Sequence, residues 1–459
     1  MLTCNSHKIH SYVLLGGTII GLVIFTFILN IYNPVDAEQY PKVNADGLHV
    51  DLVAKGLKLP TALAFLGPDD ILVLEKDNGT VRRVVNGTLL PQPILDVGVA
   101  TERERGMLGI AVAKKTENGL PPTYVFIYYT QSKTTQDGLD FCPPPRPYYC
   151  KQDSEPLGNR LYRYEFVDNK LVNPKLLLDL PAKPGPNHNG GALMIGDDDN
   201  MYIIVGDLLP YYSKEAGTKA TNFKDSREPD GRSGILRITE DGYIVENGIL
   251  GDKHPLNKYY AYGIRNGFGM DFDPVSGNLW DTENGPSYGD EINLVEPGFN
   301  SGWAIIQGLW SPLDLNISEN ILNLPADNRF TEQENRHFSN FNDKGKYSDP
   351  EFIWNRTIGV TALKFLDTDK LGKKYKNDLF VGDITFGNIY HFDLNKNRTQ
   401  LILTGELEDK IVENSKTDQK SIKFAENFGG ITDLEVGPYD GYLYVLSYHD
   451  GSIYKIVHK

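Results

Sequence analysis

The sequence predicts an all-β fold, a β-propeller assembled from repeated antiparallel hairpins. Three segments share one pattern of apolar strand, glycine-containing turn and alternating strand: residues 71–84, 379–392 and 443–456. This pattern is typical of β-hairpins. After residue 46 no apolar pattern of helical period is sustained, and 45 glycines and 26 tyrosines favour strands and tight turns. Repeated hairpins separated by long insertions indicate a propeller or another repeating array of sheets.

The length of the chain suits a propeller of about six blades. Residues 48–459 form the predicted propeller, which leaves about 70 residues for each of about six blades. The excess over a compact blade is expected in insertions, and 130–160 and 310–350 have that character. A pair of β-sandwiches would also alternate strands and turns, but the shared hairpin pattern favours the propeller.

An apolar segment precedes the predicted propeller. Residues 1–11 form a short tail, 12–32 hold no charged residue and are long enough to cross a bilayer as a helix, and 33–47 form a linker. A secretory signal has a shorter apolar core of about 7–15 residues, so an uncleaved anchor is preferred. Val35 and Ala37 resemble a cleavage site, so a cleaved signal stays open. Either interpretation predicts export, with the propeller membrane-anchored or secreted.

Other features agree with export. Cys142 and Cys150 bracket a short loop that a disulfide could close in an oxidising compartment. Five Asn-x-Ser/Thr sequons are compatible with a glycosylated surface; they begin at Asn78, Asn86, Asn316, Asn355 and Asn397. The net charge of −15 argues against a nucleic-acid partner, because no basic face is available for phosphate. Membrane contact is expected only through the N-terminal segment.

The segment 185–207 contains the first candidate for chemistry. His188 directly precedes an asparagine and two glycines, and Asp207 ends the following strand. A hairpin between them would bring both side chains to one end of a sheet, where a carboxylate can orient an imidazole base. A plain turn residue is the competing interpretation of His188. The acidic run 197–200 suits either calcium or a β-turn, and it lacks the full EF-hand pattern, so the turn is favoured.

The segment 262–303 contains the second candidate. Gly285 and Pro286 can present successive backbone carbonyls, and Asp290 and Glu291 add carboxylates nearby. Hard oxygen ligands of this kind suit Ca²⁺. A glycine–proline turn with an exposed acidic pair explains the same residues equally well.

Taken together, these segments resemble the PQQ-dependent soluble glucose/aldose sugar (sorbosone) dehydrogenase family. Six stretches match in order: 59–65, 104–112, 188–207, 262–274, 283–303 and 431–447. The resemblance spans about residues 48 to 458. It implies a six-bladed propeller that binds PQQ and a small sugar at its axial face. It also implies oxidation of an aldose at the anomeric carbon to the lactone, with the electron acceptor unknown.

The resemblance implies roles for the catalytic residues. His188 falls at the family's catalytic base, which takes the proton of the anomeric hydroxyl, and Asp207 matches the aspartate that orients it. Arg265 and Asn266 match an Arg-Asn pair near the reactive carbon of the quinone.

The resemblance also implies cofactor and metal positions. Gly285 and Pro286 match the carbonyls that hold the calcium bridging to PQQ, and Glu291 matches a carboxylate of a second, structural calcium site. Glu104 stands where family members carry Gln or Glu beside the cofactor.

The chain departs from the family where PQQ is held by cations. The family's PQQ-binding lysine aligns with Thr385, and two arginines that pair with the cofactor align with Gly430 and Thr432. PQQ carries three carboxylates, and each charge-assisted bond contributes about 1.5–3 kcal/mol, so this loss weakens binding by several kcal/mol. Three basic residues are candidate replacements: Arg103, Arg105 and Lys183.

Two other functions remain open beside the dehydrogenase. The first is a non-catalytic extracellular propeller that binds a glycan or a protein after losing PQQ. The second is a calcium-dependent lactonase, which would need a carboxylate and amide cluster around an axial ion. The backbone carbonyls of Gly285 and Pro286 suit that cluster less well.

Overall fold

The computed structural model describes residues 40–113, 123–138, 140, 156–208, 217–309, 338–413 and 417–459. The predicted membrane segment 12–32, the predicted pair Cys142 and Cys150 and the sequon at Asn316 lie outside these residues. Among the described residues, no helix is long and apolar enough to span a bilayer. The described 3-10 helices are single turns: Lys219–Thr221, Leu256–Lys258, Lys373–Tyr375, Gly405–Leu407 and Asp418–Lys420.

The described strands form six sheets, numbered I to VI. Sheet I contains β3 (Pro60–Gly67), β4 (Asp70–Glu75), β5 (Thr80–Val85), β6 (Thr88–Leu89) and β7 (Leu95–Asp96). Sheet II contains β8 (Met107–Val112), β9 (Thr123–Gln131), β10 (Gly158–Val167) and β11 (Lys170–Leu180). Sheet III contains β12 (Leu193–Ile195), β13 (Asn200–Val205), β14 (Gly234–Thr239), β15 (Tyr259–Tyr262), β19 (Phe299–Asn300) and β20 (Lys346–Tyr347).

The remaining three sheets complete the fold. Sheet IV contains β16 (Gly267–Phe272), β17 (Leu279–Glu283), β18 (Tyr288–Val295), β21 (Phe352–Arg356) and β25 (Ile411–Val412). Sheet V contains β22 (Val360–Phe365), β23 (Leu379–Asp383), β24 (Ile389–Phe392), β26 (Lys423–Glu426) and β1 (Lys42–Val43). Sheet VI contains β27 (Ile431–Val436), β28 (Leu443–Ser447), β29 (Ser452–His458) and β2 (Leu48–Lys55).

The innermost strands of the six sheets contact one another in a closed ring. The order around the ring is β3, β8, β12, β16, β22, β27 and back to β3. The ring closes because β2, from the beginning of the described chain, pairs with β29 at its end, with Val50 opposite Ile456. The arrangement is propeller-like, and the all-β prediction is confirmed. A ring of sheets excludes the pair of β-sandwiches.

The three predicted hairpins are the second and third strands of their sheets. Residues 71–84 lie in β4 and β5, 379–392 in β23 and β24, and 443–456 in β28 and β29. The second strands are apolar because both of their faces pack against neighbouring sheets, so Met201–Val205 in β13 is buried throughout. The acidic run 197–200 forms the turn before β13, where Asp198 accepts hydrogen bonds from Asn200 and Tyr202. The turn interpretation of that run is confirmed.

Closure of sheet VI gives a direct test of how the ring is stabilised. Ile453 in β29 is fully buried in the cluster between sheets VI and I. We expect Ile453→Ala to lower the free energy of unfolding by about 2–5 kcal/mol, because it leaves a cavity. Urea denaturation measures the loss. Leu52→Ala on the paired strand β2, where the side chain is 53% exposed, is the control and should change little. Equal effects of the two variants would contradict this account of closure.

Candidate active site

One cavity, of about 520 Å³, lies at the end of the ring where the inner strands begin. Every sheet contributes to its wall, through the segment before the inner strand, that strand itself, or the turn after the second strand. Sheets I to VI supply, in order, Lys76, Glu104, His188, Arg265, Thr385 and Thr432. Residues far apart in sequence therefore meet in one place.

His188 and Asp207 form a buried hydrogen-bonded pair. The Nδ1 atom of His188 lies 2.6 Å from Oδ1 of Asp207, and the two residues are 7% and 1% exposed. The other carboxylate oxygen, Oδ2, accepts a 2.6 Å hydrogen bond from the indole Nε1 of Trp303. Because Asp207 is held from both sides, it fixes Nδ1 of His188 as the donor and leaves Nε2 as the basic nitrogen. The predicted pairing of His188 with Asp207 is confirmed by this geometry.

The glycines near His188 explain why the pair forms. His188 itself has a left-handed backbone with φ of 60°. A Cβ atom on Gly190 would lie 2.3 Å from the carbonyl oxygen of Ile204, and one on Gly206 would lie 2.2 Å from that of His188. Only glycine permits these approaches. The loop before β12 therefore packs directly against the end of β13, just before Asp207.

Glu104 joins three of the loops that form the cavity. Its Oε2 atom accepts hydrogen bonds from the backbone N–H of His188 at 2.7 Å and from Nδ2 of Asn266 at 3.0 Å. Oδ1 of Asn266 in turn accepts from the backbone N–H of Gly190 at 3.3 Å. The carboxylate of Glu104 therefore positions the backbone on which His188 stands.

Arg265 lies against Trp303 and faces the turn at Gly285. Its Nη1 atom donates to the carbonyl oxygens of Asn284 at 2.7 Å and Gly285 at 3.1 Å. Its guanidinium lies 5.3 Å from the centre of the Trp303 ring, within the range of a cation–π interaction. Sequence reasoning missed Trp303, which contacts both Arg265 and Asp207, because only the folded chain shows where its indole N–H points.

Asp290 holds the Gly285 turn in place. Its carboxylate accepts hydrogen bonds from the backbone N–H groups of Gly285 (2.9 Å), Ile358 (2.7 Å) and Gly359 (2.8 Å). Burial raises the pKa of Asp290 to about 6. Asp290 and Glu291 are fully buried, so the interpretation of an exposed acidic pair is wrong. Asp290 is a support for the turn between sheets IV and V.

Glu291 lies behind the cavity rather than in it. Its Oε1 atom accepts hydrogen bonds from the backbone N–H of Gly308 at 2.5 Å and from Nε2 of Gln307 at 2.9 Å. Glu291 pairs across the sheet with Glu283. Gly285 lines the cavity, whereas Pro286 is not among its lining residues. Calcium binding at Gly285, Pro286 and Glu291 stays a prediction.

Within the described ranges, one group brings three potential metal-binding side chains within 4.8 Å of one another. It consists of Asp378, His391 and Asp393. None of the three lines the cavity.

The three positions where the family carries cations hold neutral residues in this chain, and local contacts constrain two of them, Gly430 and Thr432. Thr385 and Thr432 line the cavity, and the hydroxyl of Thr432 donates to the carbonyl oxygen of Pro60 at 2.9 Å. Gly430 has a left-handed backbone, and a Cβ there would lie 2.8 Å from the carbonyl oxygen of Ile384. An arginine side chain does not fit at Gly430 in this backbone.

The three candidate replacement cations occupy different positions relative to the cavity. Arg103, one of the three predicted candidates, lines the cavity. Arg105 does not, because its guanidinium is buried against Asp140 at 2.9 Å. Lys183 is not among the lining residues either. Lys76 lines the cavity and was missed by sequence reasoning, although its place just after the apolar strand of a hairpin is the signal that could have found it.

A closed ring of sheets, with the hydrogen-bonded pair of His188 and Asp207 beside its axial cavity, defines the class of this protein as propeller-like. A family model described as Glucose / Sorbosone dehydrogenase matches residues 57–319. Because this match covers more than half of the chain, the protein belongs to the glucose/sorbosone dehydrogenase family. The family predicted from the sequence motifs is confirmed.

Individual relatives are distant. The chain is 24% identical over 421 residues to the uncharacterized protein slr1608 of Synechocystis sp., covering 90% of this chain and 87% of that protein. It is 27% identical over 328 residues to quinoprotein glucose dehydrogenase B of Acinetobacter calcoaceticus, covering 66% of this chain and 61% of that enzyme. The PQQ-bound aldose sugar dehydrogenase of Streptomyces coelicolor has a TM-score of 0.58 at 20% identity and covers 92% of this chain and 100% of its own. At that identity the likeness shows the fold alone.

Three buried carboxyls beside the site make stability depend on pH. Burial raises the pKa of Glu283 to about 7 and raises the pKa values of Asp281 and Glu291 well above their ordinary range. The folded chain therefore retains protons that the unfolded chain has already released. We expect the free energy of unfolding to be highest near pH 5 and to fall as pH rises through about 7. Urea denaturation across this range measures it, and a free energy of unfolding that rises with pH would contradict the assignment.

A substitution distinguishes the pH effect of Asp281, Glu283 and Glu291 from that of other titrating groups. Asp281→Asn removes one of the three charges, so we expect a shallower fall with pH and a stability gain on the order of 1 kcal/mol near pH 8. Asp252→Asn is the control, because Asp252 is exposed. A variant that is equally destabilised at pH 5 and pH 8 would show that Asp281 acts through packing instead.

Proposed function

We propose that this protein is a sugar dehydrogenase that oxidises an aldose at its anomeric carbon to the lactone, with PQQ and Ca²⁺. The hydrogen-bonded pair of His188 and Asp207 in the axial cavity carries the proposal. Membership of the glucose/sorbosone dehydrogenase family supports it, as does the similarity to a quinoprotein glucose dehydrogenase.

The cavity fits PQQ in size and offers basic side chains to its carboxylates. Its volume of about 520 Å³ lies within the range of small-molecule sites, about 300–1,000 Å³. Four basic side chains lie in its wall, and Lys364 is already paired with Asp271 and Glu435, so Lys76, Arg103 and Arg265 remain to face carboxylates of the cofactor. The wall also contains acidic side chains: Glu104, Asp271, Asp290, Asp433 and Glu435. The carbonyl oxygen of Gly285 is available to a hard cation, once Arg265 shares it or releases it. When bound, PQQ supplies the acceptor for the hydride from the sugar.

His188 acts as the general base. Nε2 of His188 takes the proton of the anomeric hydroxyl, because Nδ1 is committed to Asp207. The imidazolium that forms is stabilised by the Asp207 carboxylate, which Trp303 holds in place. The proton thus moves to the protein and the hydride leaves the anomeric carbon.

Arg265 supplies fixed positive charge beside this pair, because its guanidinium lies against Trp303, which binds Asp207. Its guanidinium is oriented by two carbonyl oxygens and by the ring of Trp303. A preorganised cation in a partly buried site stabilises negative charge that develops during the reaction. Asn266 and Glu104 hold the His188 loop through hydrogen bonds to its backbone.

The finer parts of the proposal rest on the predictions made from the sequence. Each of the six sheets is one blade of a six-bladed propeller. The carbonyl oxygens of Gly285 and Pro286 would hold a Ca²⁺ ion beside PQQ, and the carboxylate of Glu291 would hold a second Ca²⁺ ion. The apolar segment 12–32 anchors the propeller on the outside of the cell or directs its secretion.

The neutral residues at the family's cationic positions favour a second candidate. Thr385, Gly430 and Thr432 provide no charge to a tricarboxylate. A propeller that has lost PQQ and binds a glycan would have the same features. This candidate predicts no saturable binding of PQQ to the folded chain.

Activity of the full chain tests the proposal. The chain is loaded with PQQ and Ca²⁺, and dye reduction is followed across a panel of aldoses. We expect turnover with at least one aldose, and we expect His188→Gln to lower kcat by about 10²–10⁴-fold with little change in the affinity for PQQ. His254→Gln, at an exposed position outside the cavity wall, should retain activity. A folded, PQQ-loaded chain that reduces no dye with any aldose would refute the proposal.

A further inference from the structure

Four basic side chains line the cavity, and they differ in how many protein carboxylates or carbonyl oxygens they already bind. Lys364 lies between two carboxylates, 2.9 Å from Glu435 and 3.4 Å from Asp271. Arg265 is held by two carbonyl oxygens near Gly285. Lys76 and Arg103 remain, and both belong to the wall formed by sheets I and II.

Lys76 is held by backbone hydrogen bonds and by the packing of its side chain. Its backbone N–H donates to the carbonyl oxygen of Leu59, and its carbonyl oxygen accepts from the backbone N–H of Met107. Gly106 makes room for its side chain, because a Cβ there would lie 2.7 Å from Cγ of Lys76. The side chain is 9% exposed, and its ammonium has one ion pair, with Asp77 at 2.5 Å. An ammonium has three donors, so donors remain for a ligand in the cavity.

Arg103 stands next to Glu104 at the entrance to β8. Its backbone is left-handed, with φ of 57°. Across the part of the chain that the structure describes, its guanidinium forms no ion pair. Glu104, the next residue, accepts a hydrogen bond from the backbone N–H of His188, so the backbone that carries Arg103 is joined to the loop that carries the base.

The location of Lys76 relates directly to the lost family cations. Thr432, at one of those positions, donates its hydroxyl to Pro60 at the start of β3. Lys76 directly follows β4 in sheet I, the sheet to which Pro60 belongs. Its backbone N–H donates to the carbonyl oxygen of Leu59, the residue before Pro60. Positive charge that the family carries in sheet VI is therefore found one sheet further round the ring, in sheet I.

We propose that Lys76 and Arg103 form a carboxylate-binding subsite, which holds PQQ in place of the cations that Thr385, Gly430 and Thr432 no longer provide. This inference rests on the proposed function, since it assigns the ligand of the same cavity. Carboxylates of a cofactor and of a uronic acid share the same chemistry, and we assign the subsite to the cofactor. Hydrogen bonds from the charged side chains of lysine and arginine are among the strongest that a carboxylate can accept.

Equilibrium dialysis of PQQ against the full chain tests the subsite without reference to turnover. We expect Lys76→Met and Arg103→Gln each to weaken PQQ binding by about 10–100-fold. The charge-preserving variants Lys76→Arg and Arg103→Lys keep the positive charge and should therefore lose less affinity for PQQ than the neutral variants. Lys55→Met is the control, because Lys55 is exposed and lies outside the cavity wall. Arg103 is exposed, so its variant retains the fold.

A restoring variant and a second ligand complete the test. Adding Thr385→Lys to the Lys76→Met, Arg103→Gln double variant should recover at least about tenfold of the lost affinity, because it returns a cation to the same cavity. PQQ binding that is unchanged by Lys76→Met and Arg103→Gln would overturn the subsite while leaving the proposed function intact. Loss of D-glucuronate binding without loss of PQQ binding would overturn the assignment to the cofactor. Absence of PQQ binding to the unchanged chain would overturn the proposed function itself.

Discussion

Closure of the sheets into a ring is the constraint on which the site depends. The pairing of β2 with β29 joins the two ends of the described chain in sheet VI, and the inner strands then form a continuous circle. Only in a closed circle do the segments around Lys76, His188 and Thr432 reach one cavity. The carboxylate of Asp207 is the corresponding constraint within the site, because His188 and Trp303 both bind to it.

Several of these features follow from the sequence alone. The repeated hairpins are predictable because an apolar strand, a glycine turn and an alternating strand are local patterns. The pairing of His188 with Asp207 is predictable because a short hairpin separates them, and the glycines after His188 indicate a close approach. Five of the six ordered motifs that identify the family include the inner strand of a sheet.

Other features depend on which loops meet, and the sequence does not encode that locally. Trp303 lies 96 residues from Asp207 along the chain, and no pattern indicates that its indole N–H reaches that carboxylate. Asp290 looked like a potential calcium ligand, yet its oxygens are occupied by backbone N–H groups from two sheets. The hairpin pattern places Lys76 after an apolar strand, but the packing of its side chain against Gly106, just before β8 in the next sheet, is visible only in the fold.

The central claim is that His188 and the cations of sheets I and II serve one ligand-filled cavity. A crystal structure of the chain with PQQ, Ca²⁺ and an aldose tests it most directly. The account predicts the anomeric hydroxyl within hydrogen-bond distance, about 2.6–3.2 Å, of Nε2 of His188, with PQQ carboxylates on Lys76 and Arg103. A quinone bound elsewhere, or a sugar whose anomeric carbon faces away from His188, would contradict it.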